Sequence, residues 1–134
     1  MARWLHPDVL DNGLAYLKAN CNQVSVLKAY AAGDSYVTVT GNSVCDIAAV
    51  TGDFTLANGS YSNSRKISVA SKAANASANS GAAPDLHFAY LDTANSKVLG
   101  VTDETSDQQI YSGNLVSCPA LDPLFVALQP TAPP

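Results

Sequence analysis

From Gln23 onward the chain repeatedly alternates apolar and polar residues in short runs, and each run is stopped by Gly, Asn, Asp or Ser. Period two places successive side chains on opposite faces of a strand, so this pattern constrains the fold more than any other feature. "QVSVLKAY" (Gln23–Tyr30) alternates around Val24 and Val26, and "YVTVT" (Tyr36–Thr40) is alternating and β-branched. "VCDIAAV" (Val44–Val50) is a weaker run, "DFTLANG" (Asp53–Gly59) ends in an Asn-Gly turn signal, and "RKISVAS" (Arg65–Ser71) puts Ile67 and Val69 on one face. "DLHFAYLD", "TANSK" and "KVLGVTDE" then read as strand, turn and return strand, the best hairpin in the chain. "NLVSCPALDPLFVALQP" adds one or two strands that Pro119 and Pro123 confine to an edge or break. Seven or eight short strands with turn signals every 8–12 residues predict a mainly β protein, a β-sandwich or barrel-like pair of antiparallel sheets.

One segment departs from this pattern. "HPDVLDNGLAYLKAN" (residues 6–20) predicts an N-terminal helix, with Pro7 in the first turn, Asp8 favoured by the helix dipole and Asn20 as the stop. Gly13 inside it costs about 1 kcal/mol against Ala, so the helix depends on docking. Trp4 and Leu5 precede it and are placed to staple it onto a sheet or a neighbouring subunit. "KAANASANSGAAP" carries almost no apolar bulk and reads as a loop, the alternative being a strand whose small side chains admit another surface. The tail "QPTAPP" (residues 129–134) is polyproline-like and reads as an arm. The 134 residues suit one β-rich domain with an N-terminal arm and helix (1–20) and that tail.

The residue inventory narrows function by exclusion. Only 13% of residues are charged, about half the usual ~25%, so Ser, Thr and Asn must cover much of the surface. Such a surface fits a protein packed against others, or a durable extracellular β-protein. The net charge is −4 with seven scattered Lys and Arg, so no basic stripe offers nucleic acid a footprint. No apolar run approaches the ~20 residues of a membrane span, and no secretory signal is visible. Cys21, Cys45 and Cys118 are widely spaced with no C-x-x-C, which predicts buried free thiols in place of a zinc site, the alternative being one disulfide with one thiol left over. Neither phosphate-binding glycine loop is present.

His87 is the residue on which a catalytic reading would rest. It alternates with Ala89 and Leu91, while Leu86, Phe88 and Tyr90 share the other face; neither face is plainly wet, so the strand is central or at an interface. Asp85 points with His87 if the strand is regular, but no nucleophile motif accompanies the pair. His87, Phe88 and Tyr90 are therefore read as the structural frame of the hairpin, and no catalytic, cofactor or metal residue is assigned. His6 reads as a capping or solvated residue. Asp103, Glu104 and Asp107 read as a solvated acidic loop, since the EF-hand pattern and its glycine are missing. Six scattered tyrosines read mostly as packing residues, with a sugar-binding platform as the minority use.

Four motifs, in order, resemble a family of small tailed-bacteriophage virion proteins. They are "PDVLDNGLAYLKAN", "GDFTLANGSYSNSRKISVAS", "LHFAYLDTANSKVLGVTDET" and "IYSGNLVSCPALD", and together they cover most of the chain. The resemblance implies a non-enzymatic capsid decoration, or cement, protein that bridges major capsid subunits on the outer head surface, often as a homotrimer. It implies synthesis in a bacterial cytoplasm and no cofactor, nucleic acid or membrane. The Ala/Asn-rich stretch after Ser71 and the apolar, Pro-rich end depart from the family pattern, so no contact residue is carried over. The chain's own candidates for the interface are Trp4, Leu5, Pro130 and Pro133, with the Ala/Ser/Asn loop beside them. The alternatives are a host-surface or glycan-binding module and a tail or neck component.

Overall fold

The computed structural model describes residues 4–5, 13–60 and 64–128. Within them, ten strands form three antiparallel sheets, with two short helices and one 3-10 turn, so the mainly β expectation holds. The first sheet has the order β1 (Trp4–Leu5), β8 (Lys97–Asp103), β7 (His87–Asp92), β2 (Gln23–Leu27), β3 (Ser43–Ala48). The second is β10 (Leu121–Leu128), β5 (Ser64–Val69), β4 (Phe54–Asn58), and the third pairs β6 (Lys72–Asn75) with β9 (Leu115–Cys118).

The five-stranded sheet is covered on both faces, which explains why neither face of the hairpin looked wet. Every residue of β7 is buried. On one face Val24, Val26, Phe88, Tyr90 and Leu99 join the main core, which also takes in Phe54, Ile67 and Phe125 of the second sheet. Tyr90 is the hinge of that core: its ring meets Phe54 edge-on at 6.5 Å and Phe125 edge-on at 6.2 Å. Such edge-to-face pairs add about 0.5–1.5 kcal/mol each beyond area burial. On the other face Leu27, Ala89, Leu91, Val98 and Val101 form a smaller core with Tyr30 and Val39. A bulge in β8 between the Tyr90–Gly100 and Leu91–Val98 pairs lets Leu99 face the first core while Val98 and Val101 face the second.

The lid on that second face corrects the sequence reading. "YVTVT" is not a strand but the helix α2, Tyr36–Gly41. Ser35 caps it, its Oγ accepting from the Thr38 N–H at 3.2 Å. Residues 36 and 39 then share a helical face: Val39 is fully buried in the smaller core and Tyr36 packs against it, while Val37 stands 78% exposed. Val and Thr lose only about 0.5 kcal/mol per residue in a helix, whereas burying one Val contributes about 1.5–3 kcal/mol. Packing outweighs propensity here.

The N-terminal helix is observed as α1, Leu14–Asn20, and residues 6–12 of the expected helix lie outside the described residues. Gly13 is not inside it. It is the N-cap, at φ 77°, a left-handed conformation that glycine adopts without the Cβ penalty. Leu14 and Leu17 dock α1 onto the main core, and Asn20 ends it by donating from Nδ2 to the Tyr16 carbonyl at 2.9 Å. Lys18 reaches the carbonyls of Thr51 and Phe54, tying α1 to the 3-10 turn Thr51–Asp53.

Two further expectations resolve. The Ala/Ser/Asn stretch begins as the strand β6, correcting the loop reading at Lys72–Asn75, and then follows the 110–114 segment through hydrogen bonds. Ala76 donates to the Asn114 carbonyl, Gly113 to that of Ala76, and Ser80 Oγ accepts from the buried Ile110 N–H at 2.8 Å. Pro123 lies in β10, the outer strand of its sheet, where the register shifts between Leu121 and Phe125.

Candidate functional site

The centre of interest is the open end of the β7–β8 hairpin. His87 begins β7, opposite Leu27 of β2 and opposite Asp103 of β8. It is 1% exposed, and the Tyr30 ring lies against it at 5.5 Å. Its Nδ1 bonds the Asp85 backbone carbonyl at 3.0 Å. The Asp85 carboxylate, which the alternation placed beside His87, lies 3.9 Å from Nδ1 and is mostly exposed. The other ring nitrogen, Nε2, has Asp103 Oδ1 at 3.4 Å and no hydrogen-bond partner. Asp85, His87 and Asp103 form, among the described residues, the one group of three metal-ligating side chains whose ligand atoms all lie within 4.8 Å of one another.

The acidic loop divides its labour differently from the sequence expectation. Asp103 turns to His87, whereas Asp107 Oδ1 accepts from the Leu86 N–H at 2.8 Å and Glu104 Oε1 from the Ser106 N–H at 3.0 Å. Asp107 and Glu104 thus hold backbone, and Asp107 anchors the loop to the residue before His87. Period-two spacing placed Asp85 near His87, but only strand pairing brings Asp103, sixteen positions away, opposite it.

A cleft of about 440 Å³ opens beside this loop. Val26, Leu86, Phe88 and Ile110 give it apolar walls, and Glu104, Gln108 and Asn114 contribute polar groups. Leu115 and Val116 of β9 also line it. Of the described tyrosines, Tyr111 alone is largely exposed, Tyr16 and Tyr36 are half-buried, and Tyr30 and Tyr90 are buried, so these residues build no multi-tyrosine sugar platform.

The cysteines are free and buried, as expected. Burial pushes the Cys21 and Cys118 thiols up to about 12 and raises Cys45 as well. All three therefore stay protonated near neutrality and are poor nucleophiles. Burial also raises the Tyr90 phenol.

Of the interface candidates, Trp4 and Leu5 pair through their backbone with Val101 and Gly100, forming the edge strand β1. Pro130 and Pro133 lie outside the described residues, as does His6. His87, Phe88 and Tyr90 are buried in β7, the central strand of the five-stranded sheet. No helix among the described residues is long and apolar enough to cross a membrane. Comparison with protein families, curated proteins and solved structures found no match to the chain.

Proposed function

We propose that this chain is a virion structural protein that decorates and stabilises the outer surface of a tailed-phage head by bridging major capsid subunits, as a homo-oligomer with a trimer favoured. The observation that carries the reading is a low-charge surface on which large apolar side chains stand exposed on separate elements. Val37 of α2, Val50 before the 3-10 turn, Leu115 of β9 and Val126 of β10 are 78%, 64%, 68% and 40% exposed. Apolar points distributed in this way suit simultaneous contact with several neighbours. The mechanism is mechanical: each contact is modest, but patches of about 800 Å² per partner become hard to break when several must dissociate together. The resemblance of four motifs to the decoration-protein family points the same way, and the reading calls for no enzyme chemistry and no cofactor.

The test is co-sedimentation of the purified chain with tailed-phage heads stripped of decoration protein. The wild-type chain is expected to bind. W4A/L5A, L115D and a deletion of residues 129–134 should each weaken binding at least tenfold while keeping the wild-type circular dichroism. A chain that stays monomeric and never sediments with heads refutes the proposal. The cleft favours a second reading, a glycan-binding module, because apolar walls with amide groups suit a sugar ring and its hydroxyls. Glycan-array binding abolished by Asn114→Ala would favour that reading over the first.

A further inference from the structure

We propose that Nε2 of His87, with the carboxylates of Asp103 and Asp85, binds a single divalent transition-metal ion of the zinc class. The argument begins with the ring's protons. A carbonyl oxygen can only accept, so the 3.0 Å contact between His87 Nδ1 and the Asp85 carbonyl places a proton on Nδ1. In the neutral imidazole Nε2 then carries a lone pair. That nitrogen lies 3.4 Å from Asp103 Oδ1, which is also an acceptor, and it is a buried atom with no hydrogen-bond partner. Buried polar atoms are rarely left so. Two acceptors held this close with no proton between them are reconciled by a cation that both can ligate.

The spacing identifies the kind of cation. The 3.4 Å separation of Nε2 and Oδ1 is longer than the ordinary N–H···O range of about 2.7–3.2 Å. A tetrahedral ion with bonds of about 2.0–2.2 Å holds neighbouring ligand atoms about 3.3–3.6 Å apart. The surroundings follow the usual plan of a histidine ligand, whose second nitrogen donates to a backbone carbonyl and so fixes both tautomer and ring orientation. Here that carbonyl belongs to Asp85, whose own carboxylate lies 3.9 Å from Nδ1, and one ligand atom from each of Asp85, His87 and Asp103 lies within 4.8 Å of the other two. The three residues differ in exposure in a useful way. His87 is buried, the Asp103 side chain is 13% exposed and that of Asp85 is 67% exposed, so the ion enters from the Asp85 side and water completes its shell. Imidazole with carboxylates suits zinc, cobalt and their neighbours better than calcium, which prefers six to eight oxygens. An ion here would clamp the open end of the hairpin, joining the start of β7 to the end of β8.

The test uses the full, tag-free chain titrated with zinc by calorimetry and with cobalt(II) by visible absorption. One ion per chain is expected, with cobalt bands of a four-coordinate nitrogen–oxygen site. In ¹⁵N spectra at neutral pH, Nε2 of His87 should lack a proton without metal and shift on zinc addition, while Nδ1 keeps its proton. Asp103→Asn should weaken zinc binding at least tenfold, and Asp85→Asn several-fold, without lowering the melting temperature of the metal-free protein. Zinc binding that is undiminished in Asp103→Asn overturns the proposal. So does an Nε2 that is protonated at neutral pH and unmoved by zinc, which would make the site an imidazolium–carboxylate pair; this measurement needs no variant to fold.

Discussion

The β7–β8 hairpin and the β6–β9 pair are both antiparallel two-strand units, yet they do opposite jobs. The hairpin lies inside a five-stranded sheet, is flanked by β2 and β1, and is buried on both faces. The β6–β9 pair is a sheet of two strands: β6 alternates half-buried and exposed, and β9 is buried only at Cys118, with Leu115 68% in solvent beside the cleft. The hairpin's buried side chains include Phe88, Tyr90, Leu91, Val98, Leu99 and Val101; those of β6 are Lys, Ala, Ala and Asn. Stability therefore concentrates in one unit and surface presentation in the other. A two-stranded sheet is marginal by itself, and this one relies on the hydrogen bonds that fasten Ala76–Ser80 to Ile110–Asn114.

The contrast can be broken most severely at Tyr90. Tyr90→Ala removes the ring that joins the five-stranded sheet to Phe54 and Phe125, and should cost about 3–5 kcal/mol in urea unfolding. Leu115→Ala, on the exposed pair, should stay within about 0.5 kcal/mol. Equal losses at the two sites would erase the distinction. A sharper and smaller test is Ser80→Ala. It leaves the buried Ile110 N–H without its acceptor and should cost about 1–3 kcal/mol. Hydrogen exchange should then speed up at Ile110 and Gly113 while the β7 amides keep their protection, because the pair opens locally and the hairpin does not.

The smallest effect is electrostatic. Asp53 accepts from Lys72 Nζ at 2.9 Å and from the Val50 N–H at 2.9 Å, fastening the start of β6 to the 3-10 turn. The Lys72 hydrogen bond, helped by that of Val50, holds the Asp53 carboxyl below the usual carboxylate range. A depressed acid contributes stability that is complete above its unfolded pKa and disappears as pH falls through the folded one. Asp53→Asn should therefore lower stability by about 1 kcal/mol at pH 7 and by progressively less as the pH falls below the carboxylate range, read from urea curves at each pH. A pH-independent difference would mean that the pair's charge contributes nothing.

The parts of the fold legible in the residue order are those in which one strand face had to be apolar. The hairpin from His87 to Asp103, the runs around Val24, Ile47, Phe54 and Ile67, and the confinement of Pro123 to an outer strand all follow from period two and proline chemistry. The three thiols are free and buried, the reading the spacing favoured while leaving one disulfide open. The "YVTVT" segment was not, because its alternation matches a strand while a serine cap and one buried valine suffice to make it helical. Gly13 was misplaced for a related reason: composition cannot distinguish a glycine that weakens a helix from one that starts it. The three-residue cluster at His87 was half visible. Asp85 lies two positions away, but Asp103 reaches His87 only through the pairing of β7 with β8.

Local order along the chain thus determined the strands, the turns and the low-charge surface, since these depend on side-chain alternation and composition over a few residues. Tertiary structure decided which sheet each strand joined, that α2 would close the second face of the five-stranded sheet, and which carboxylate would meet the buried nitrogen of His87. Those outcomes depend on burial and register between distant segments, and a side chain's neighbours across a sheet are set by pairing, not by proximity in sequence.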